Sequence, residues 1–447
     1  MSDRSAPPTP MRRVAFASCA GTTIEFYDFF IYGTAAALVF NRVFFPAMGP
    51  ASGTALALAT FGVAFVARPF GSILFGHFGD RIGRKKMLLL TLVIMGAGTA
   101  AIGLLPTYDQ IGVWAPVLLV ILRVLQGIGV GGEYGGAVLL AVEYAPVQRR
   151  GFFGSFAHIG VPGGLLLAAG AFSLAGLLPD AAFLAWGWRA CFLISIVLLG
   201  IGAYIRLSIM ETPAFSRVQE AKEISAVPLR DLLKAQPKRL LLGMGTRWIE
   251  GFTFNFFSVF LLAYVVTNLG LPKDWALNGI LVGAALGVVL VPIAGAISDR
   301  VGRKPVYRAG TWTALVLAFP VAALVQSESR LAIFVALVAG LGLVYGVVYG
   351  PLAAFWSELF DTRYRYTALS SLYQISGVVA SGLTPLIAAW LVSMGGGTLW
   401  WVAGYNAAVA AVSLISARLL PETRGRDLDH AWKAVPSAEP PRERPPA

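Results

Sequence analysis

The sequence of 447 residues is poor in charged residues, in histidine and in cysteine. Only 13% of its residues are charged, which is about half of the share in a typical soluble protein. Hydrophobic residues make up 57%, and the mean hydropathy is +0.72. So little charge cannot cover a globule of this size with polar surface, which excludes a soluble protein. The composition indicates an integral membrane protein whose partner is the lipid bilayer.

The scarcity of histidine and cysteine excludes several kinds of chemistry. With three histidines and two cysteines, the sequence has no metal-binding spacing, no H-E-x-x-H motif and no P-loop. We therefore expect no metal, no cofactor and no enzymatic activity, against the alternative of a membrane-embedded enzyme. Cys19 and Cys191 both lie in apolar runs and are interpreted as small core residues.

Long apolar runs predict twelve transmembrane helices. Their expected bounds are 15–40, 54–78, 86–105, 113–144, 153–178, 187–207, 240–268, 275–298, 306–325, 331–359, 367–392 and 398–420. The predicted organisation is an N-terminal segment 1–14, a six-helix half 15–207, a linker 208–239, a second six-helix half 240–420 and a Pro-rich tail 421–447. The fold class expected is therefore an all-α polytopic membrane protein.

The distribution of lysine and arginine predicts that both termini are cytoplasmic. Of the 35 basic residues, 28 fall in segments that this topology assigns to the cytoplasm, and only four fall in outer loops. Such a bias is the signal that orients membrane proteins. The net charge of +12 is explained in this way, so we expect no nucleic-acid partner.

An internal repeat relates the two halves. The pattern G-x-x-x-D-R-x-G-R-K begins at Gly76 and again at Gly295, and its aspartates, Asp80 and Asp299, are 219 positions apart. Two parallel six-helix repeats with a substrate path between them are typical of transporters.

The repeated loop motif resembles that of the major facilitator superfamily. Three further strings resemble its metabolite:proton symporter branch, namely TIEFYDFFIYG from Thr23, RVLQGIGVGGEYGGA from Arg123 and PETRGRDL from Pro421. This resemblance covers nearly the whole chain. It implies the twelve-helix fold of that superfamily and proton-coupled import by alternating access across a bacterial inner membrane. The substrate implied is a small organic acid such as shikimate, α-ketoglutarate or another mono- or dicarboxylate.

The same branch includes carriers of zwitterions such as proline and betaine, which leaves a second substrate class open. Osmosensing members tend to carry a long C-terminal coiled coil, whereas this tail is short, Pro-rich and without heptads. A receptor that does not transport is a third alternative. Because one chain contains a complete predicted pathway, we expect it to function as a monomer.

The loop motif is predicted to act as a conformational latch. Its aspartate can accept hydrogen bonds from helix N-terminal amides, its basic side chains can reach carboxylates on neighbouring helices, and its glycine permits a tight turn. The alternative is that these charges only anchor the loop at the membrane surface. The predicted gating residues are Asp80, Arg81, Gly83, Arg84 and Lys85 in the first copy and Asp299, Arg300, Gly302, Arg303 and Lys304 in the second.

Seven charged residues fall well inside apolar spans, where each costs about 2.5–3.5 kcal/mol at the middle of the bilayer. Four acids and three arginines leave one surplus negative charge, so one carboxylate can take up a proton without stranding an arginine. Such residues are functional candidates by default. They are Glu25, Asp28, Arg68, Arg123, Glu133, Arg247 and Glu250.

The proton carrier is predicted to be an acid of the first span. Glu25, Asp28 and Tyr32 are three and four positions apart and therefore share one helical face. Asp28 is the first candidate, followed by Glu25 and by Glu133 in the fourth span. The alternative is a static ion pair, with Arg68 or Arg123, that holds helices together.

The substrate site is predicted to use one arginine from each half. Arg123 shares a helical face with Gln126, and Arg247 shares one with Glu250, so the two guanidinium groups can clamp an organic anion. The alternative for both arginines is a structural salt bridge. The remaining predicted ligands are Arg68, Tyr32 and His158. The run from Gly127 matches G-x-G-x-x-G, but inside a membrane span its glycines indicate close helix packing rather than a nucleotide site.

Overall fold

The computed structural model describes residues 11–82, 84–131, 134–208, 228–361, 365–426 and 428. Only the backbone is described for residues 12–14, 73, 76–82, 84–89, 134, 137, 140, 205–208 and 228–231. Throughout the described ranges the regular structure is helical and no strand occurs. The predicted all-α class is therefore confirmed.

Twelve long helical segments, α1 to α12, follow one another along the chain. In the first half they are α1 Met11–Leu38, α2 Pro50–Ile82, α3 Arg84–Leu104, α4 Trp114–Val130 continued by Tyr134–Glu143, α5 Arg150–Ala175 and α6 Trp188–Ser208. In the second half they are α7 Pro237–Thr267, α8 Lys273–Val301, α9 Arg303–Gln326, α10 Arg330–Leu359, α11 Arg365–Met394 and α12 Trp400–Leu419.

Each predicted span corresponds to one of these helical segments. Nine stretches in the described part of the chain are long and apolar enough to cross a bilayer, and two shorter apolar helices lie in α3 and α4. The first helix falls below that threshold because Glu25 and Asp28 interrupt its apolar run. The fourth span was predicted over 113–144, and helix is described for Trp114–Val130 and Tyr134–Glu143, while 132–133 lie outside the described residues.

Glycines allow the helices of the first half to pack closely. A Cβ atom on Gly127 would lie 2.4 Å from the carbonyl oxygen of Ala64, and one on Gly131 would lie 2.3 Å from that of Arg68. The glycine run of α4 thus lets its backbone approach α2, as helix pairs in membranes do through small residues. On α5, a Cβ atom at Gly164 would meet the backbone of α1 at 2.6 Å.

The two halves contact each other at both ends of the bundle. We call the end where α8 and α9 meet at Gly302 the motif end, and the other the opposite end. At the motif end, a Cβ atom on Gly151 of α5 would lie 2.3 Å from the carbonyl oxygen of Gly295 in α8. At the opposite end, Thr54 Oγ1 and Thr267 Oγ1 are 3.4 Å apart. The halves are thus closed together above and below the middle of the bundle.

The helices of the second half contain π-helical turns near their middles. They are Phe256–Phe260 in α7, Ala339–Val344 in α10 and Val378–Gly382 in α11. Such turns widen a helix locally and are frequent at functional sites.

Candidate functional site

The acidic face of α1 lies in the interior of the bundle. Asp28 is 3% exposed, and its Oδ1 accepts no hydrogen bond from any described residue. One turn away, the hydroxyl of Tyr32 donates to Thr60 Oγ1 at 2.6 Å. Glu25 is also buried, and its charge interacts with that of Arg68. The predicted face therefore presents one carboxylate with an unsatisfied oxygen.

Four of the predicted site residues surround one cavity between α1, α2, α3 and α4. This cavity has a volume of about 10 Å³, roughly the space that one water molecule needs. Its lining joins an acid, two arginines and an amide with apolar side chains. The lining residues are Asp28, Phe29, Ala64, Arg68, Met95, Arg123, Gln126, Gly127 and Val130.

A chain of hydrogen bonds orients Arg123 in this cavity. Its Nη1 donates to Gln126 Oε1 at 3.1 Å, and Gln126 Nε2 donates to Thr99 Oγ1 at 2.7 Å. Thr99 in turn donates to the carbonyl oxygen of Met95 at 2.9 Å. The Nε and Nη2 atoms of Arg123 are buried and have no partner among the described residues. This guanidinium can therefore donate further hydrogen bonds to an anion.

Aromatic rings contact both arginines of the cavity. The guanidinium carbon of Arg123 lies 3.9 Å from the ring centre of Tyr32, and that of Arg68 lies 4.3 Å from the ring centre of Phe65. Each distance is within the range of a cation–π interaction. Nε of Arg68 has no hydrogen-bond partner in the described part of the chain. The rings thus stabilise two positive charges without using their N–H donors.

A second charged cluster lies in the other half, on α7 and α11. Arg247 Nη1 donates to Glu250 Oε2 and Nη2 donates to Ser381 Oγ at 3.2 Å, the latter in the π-helical turn of α11. The guanidinium carbon lies 4.1 Å from the ring centre of Tyr373. Arg247 thus forms the ion pair that was the alternative interpretation, yet its Nε remains without a partner among the described residues. Its charge also interacts with Arg68 of the first half.

His158 lies at the contact between the halves and away from the lining of the first cavity. It is fully buried on α5, and its Nδ1 is 3.0 Å from the carbonyl oxygen of Tyr349 on α10. The imidazole stacks on the Tyr349 ring with 3.7 Å between centres and 3° between planes. This arrangement packs α5 against α10.

The two halves share a short string at the site. The dipeptide Ile-Glu occurs at Ile24–Glu25 of α1 and at Ile249–Glu250 of α7, and three residues further on stand Asp28 and Thr253. A second cavity of about 10 Å³ lies in the second half. It is lined by Thr253, Phe257, Ala314, Leu317, Val321, Gly340, Val344 and Asn406. The two halves thus hold comparable cavities, but only the first contains an acid and arginines.

At the motif end, the second loop motif connects the two halves. Asp299 accepts hydrogen bonds at 2.8 Å from the backbone amides of Gly151 and Phe152, which begin α5. It also pairs with Arg303 at 2.6 Å, and Arg303 forms two bonds of 3.1 Å with Glu358. The carboxylate therefore ties the N-terminus of a first-half helix to a buried ion-pair network of the second half.

The other residues of this motif have separate surroundings. Gly302 has a φ of +109°, a conformation that favours glycine, and the turn brings Glu422 Oε1 to 2.8 Å from the Arg303 amide. Lys304 Nζ donates to the carbonyl oxygen of Leu420, and Arg300 is exposed. Gly83 and Glu133 lie outside the described residues, as do the side chains of Asp80, Arg81, Arg84 and Lys85.

The start of the tail packs against both halves at the motif end. Arg150 of α5 donates to the carbonyl oxygen of Arg426 at 2.6 Å. Arg365 of α11 donates to that of Leu428 at 2.9 Å and also pairs with Glu143 of α4 at 3.3 Å. The sequence gives no direct signal for these contacts, because arginines near a membrane surface are explained by topology alone.

Several residues of the site could not be singled out in advance. Thr99, Phe29 and Ser381 have residue types that are common in membrane helices, and their importance lies in what they contact. Of these three, only Phe29 has a weak sequence signal for a place in the site, because it directly follows the candidate Asp28 on α1.

Comparison with known proteins identifies the family. The model of the Major Facilitator Superfamily matches residues 19–377 and 288–441. The inner membrane metabolite transport protein YhjE of Escherichia coli is 42% identical over 440 residues, covering 94% of this chain and 97% of that protein. The shikimate transporter of E. coli is 41% identical over 417 residues, which cover 92% of this chain and 95% of that protein. The proline/betaine transporter of E. coli is 37% identical, and the match covers 95% of this chain and 86% of that protein.

Solved structures agree in fold. The xylose transporter XylE from E. coli, in a partially occluded inward open conformation, matches with a TM-score of 0.70 at 19% identity and covers 94% of this chain and 99% of its own. XylE bound to a bromodeoxyglucose matches with a TM-score of 0.71 at 20% identity, with 94% and 98% covered. The chain belongs to the major facilitator superfamily and is a multi-pass membrane protein that acts as a secondary transporter.

Proposed function

We propose that this protein is a proton-coupled symporter that imports a small organic acid by alternating access. One observation carries the proposal: a carboxylate with an unsatisfied oxygen and two arginines with unsatisfied N–H groups line the same buried cavity. A proton can bind to that carboxylate, and a substrate carboxylate can accept hydrogen bonds from the N–H groups of the two arginines. The shikimate transporter and YhjE, which match over almost their whole length, support a metabolite as the substrate.

Asp28 is the proton site in this proposal. Its carboxylate has a hydrogen bond with the side chain of Thr99, but Oδ1 accepts none from the described residues. Burying an ionised carboxylate with so few hydrogen bonds is costly, which favours proton uptake once the cavity closes. Glu25 is the second candidate on this face, and Glu133 remains a third, outside the described residues.

Arg123 and Arg68 receive the substrate carboxylate. Among the described residues, three arginines and three acids are buried at the centre, and Glu133 lies outside the described residues. The acids are Glu25, Asp28 and Glu250, and the arginines are Arg68, Arg123 and Arg247. A proton on Asp28 makes the net charge of the centre more positive by one, and a carboxylate anion offsets that change. Proton and anion are thus favoured together, which is the thermodynamic basis of symport.

Arg247 serves as the clamp of the second half. It interacts electrostatically with Arg68 across the centre, and its bond to Glu250 holds the guanidinium in place. An anion between these two like charges draws the halves together. Gln126 and Tyr32 orient Arg123, while His158 supports the contact between the halves.

The halves 15–207 and 240–420 move against each other in this proposal, and the linker 208–239 connects them. Asp299 and Arg303 act as a latch at the motif end, because a charge-assisted bond to the start of α5 must break for that end to open. The equivalent role is assigned to Asp80 and its neighbours by the internal repeat.

We further propose that the motif end faces the cytoplasm of a bacterial cell and that the protein lies in the inner membrane as a monomer. The excess of lysine and arginine in the segments at this end supports that orientation. The name of the relative YhjE, an inner membrane protein, supports the location.

A zwitterion such as proline or betaine is the alternative substrate. The proline/betaine transporter of E. coli is 37% identical to this chain, but this chain covers only 86% of its length, against 97% of YhjE. A quaternary ammonium group also gains nothing from the cluster of three buried arginines. The organic acid is therefore preferred.

Uptake into proteoliposomes tests the proposal. Labelled shikimate, α-ketoglutarate, citrate, succinate, proline and betaine are offered with and without an inward proton gradient. Gradient-dependent accumulation of one acid is expected. Accumulation of proline or betaine alone would contradict an organic acid as the substrate, and uptake of an acid that ignores the gradient would contradict proton coupling.

A further inference from the structure

One aromatic ring of α1 contacts both arginines of the first cavity. The ring centre of Phe29 lies 4.5 Å from the guanidinium carbon of Arg68 and 4.8 Å from that of Arg123. Phe29 itself is 5% exposed and lines the cavity. The two cations therefore share one π-system, although they come from different helices, α2 and α4.

Each arginine also has a ring of its own. Arg68 contacts Phe65, and Arg123 contacts Tyr32, in both cases closer than Phe29. These separate rings account for the stability of each charge but not for the distance between the charges. Phe29 is the only ring in the described part of the chain that contacts both at less than 5 Å.

Two guanidinium groups beside each other repel one another, and neither forms a salt bridge with a described residue. The negative face of an aromatic ring offsets part of that repulsion, and the effect is larger where water is excluded. The ring also leaves the N–H donors unused, since a cation–π contact needs no hydrogen bond. An acidic side chain at this position would instead consume them.

We propose that Phe29 is a positioning residue that holds Arg68 and Arg123 side by side so that their free N–H groups point to one bound carboxylate. This inference rests on the proposed function for its consequence in transport. Its structural content, the attraction of both arginines to one ring, does not depend on the substrate.

Fluorinated phenylalanines at position 29 provide the test, because each added fluorine weakens the negative face of the ring and changes its size little. Phenylalanine, 4-fluoro-, 3,5-difluoro- and 3,4,5-trifluorophenylalanine are incorporated in turn into the full-length protein. The apparent melting temperature in detergent without substrate is expected to fall stepwise along the series. In an Arg68→Met, Arg123→Met background the same series is expected to lower the melting temperature much less, because only the ring contacts of Phe29 with other phenylalanines remain.

Phe30 is the matched control position. It is buried on the same helix and contacts the rings of Phe26, Phe29 and Phe254, but no arginine contact is described for it. Fluorination at Phe30 tests the effect of weakened ring–ring packing alone. A melting temperature that falls equally at both positions, or equally with and without the arginines, would overturn the proposal.

Transport gives the second measurement. With the acid that the unmodified protein accumulates, the half-saturating concentration is expected to rise about three- to tenfold across the series at an unchanged maximal rate. An unchanged half-saturating concentration together with a stepwise loss of maximal rate would contradict a positioning role. If the unmodified protein accumulates no acid of the panel, the proposed function fails, while the melting series still decides the role of Phe29.

Discussion

Replacing Asp28 by asparagine tests the coupling mechanism most directly. The amide has nearly the same shape as the carboxyl group but cannot release a proton at any physiological pH. Because Asp28 Oδ1 accepts no hydrogen bond from the described residues, the exchange breaks no described bond at that atom. It also removes one buried negative charge from the cavity that Arg68 and Arg123 line. The variant therefore mimics the permanently protonated state.

The size of the effect follows from the gradient. One proton moving down a gradient of two pH units supplies about 2.7 kcal/mol, enough for roughly hundredfold accumulation of the co-transported solute. The asparagine variant is expected to lose this entirely and to equilibrate the substrate at a ratio of about one. Exchange of labelled for unlabelled substrate needs no proton release, so its rate is expected to stay within about threefold. The mutation separates accumulation from exchange.

The assay uses proteoliposomes with an imposed gradient for accumulation and equal pH for exchange. Glu250→Gln is the matched control, because Glu250 is an equally buried acid that already pairs with Arg247. This control is expected to weaken substrate affinity but to keep gradient-driven accumulation. An Asp28→Asn variant that accumulates substrate as the unmodified protein does would refute the assignment, and attention would move to Glu25 and Glu133.

Further changes test the site and the two closed ends. Arg123→Lys removes the fork geometry, and the half-saturating concentration for the acid is expected to rise about tenfold, while an unchanged value would exclude a bidentate contact. Asp299→Asn weakens the latch, so the amides of Gly151 and Phe152 are expected to exchange hydrogen severalfold faster, as measured by mass spectrometry. An unchanged exchange rate would contradict the role of Asp299 in the latch. Thr54 and Thr267 are replaced by cysteines in a background without native cysteines, and the pair is expected to form a disulfide on oxidation. Uptake is expected to stop until the disulfide is reduced. Uptake that continues after cross-linking would show that the opposite end does not open.

Tail contacts at the motif end give one more expectation in the same group. Arg426→Ala removes the contacts to Asp361 and to the carbonyl oxygen of Glu358, and the melting temperature is expected to drop by a few degrees. An unchanged melting temperature would mean that this end of the tail contributes little to the closed state.

Much of the fold was accessible from the sequence because the bilayer restricts the possibilities. Only a helix satisfies its own backbone in hydrocarbon, so an apolar run of sufficient length fixes both the type of the element and its approximate bounds. The π-helical turns in α7, α10 and α11 escaped this reasoning. Apolar content continues through these turns, and nothing in hydropathy distinguishes a π-helical turn from an α-helical one.

The candidate site was accessible only in part. Charges inside apolar spans identified Asp28, Arg68 and Arg123, because their cost in a membrane requires a reason. Sequence could not tell that these three meet at one cavity while Arg247 forms its own ion pair with Glu250. Helical spacing fixes which residues share a face, but not which faces of different helices meet. Contacts such as that between Gln126 and Thr99 depend on tertiary packing alone.

The comparison of the two halves supports the proposal that the proton is taken up in the first half. Glu25 of α1 and Glu250 of α7 each follow an isoleucine and each interact with an arginine, so this acid alone does not distinguish the halves. Three residues further on, the first half has Asp28 and the second has Thr253, and each lines a cavity of similar size. Only the aspartate can change its charge. In the proposed mechanism, a proton on Asp28 alters the electrostatics of the first half, so that proton binding changes the attraction between the halves as well as the affinity for the anion.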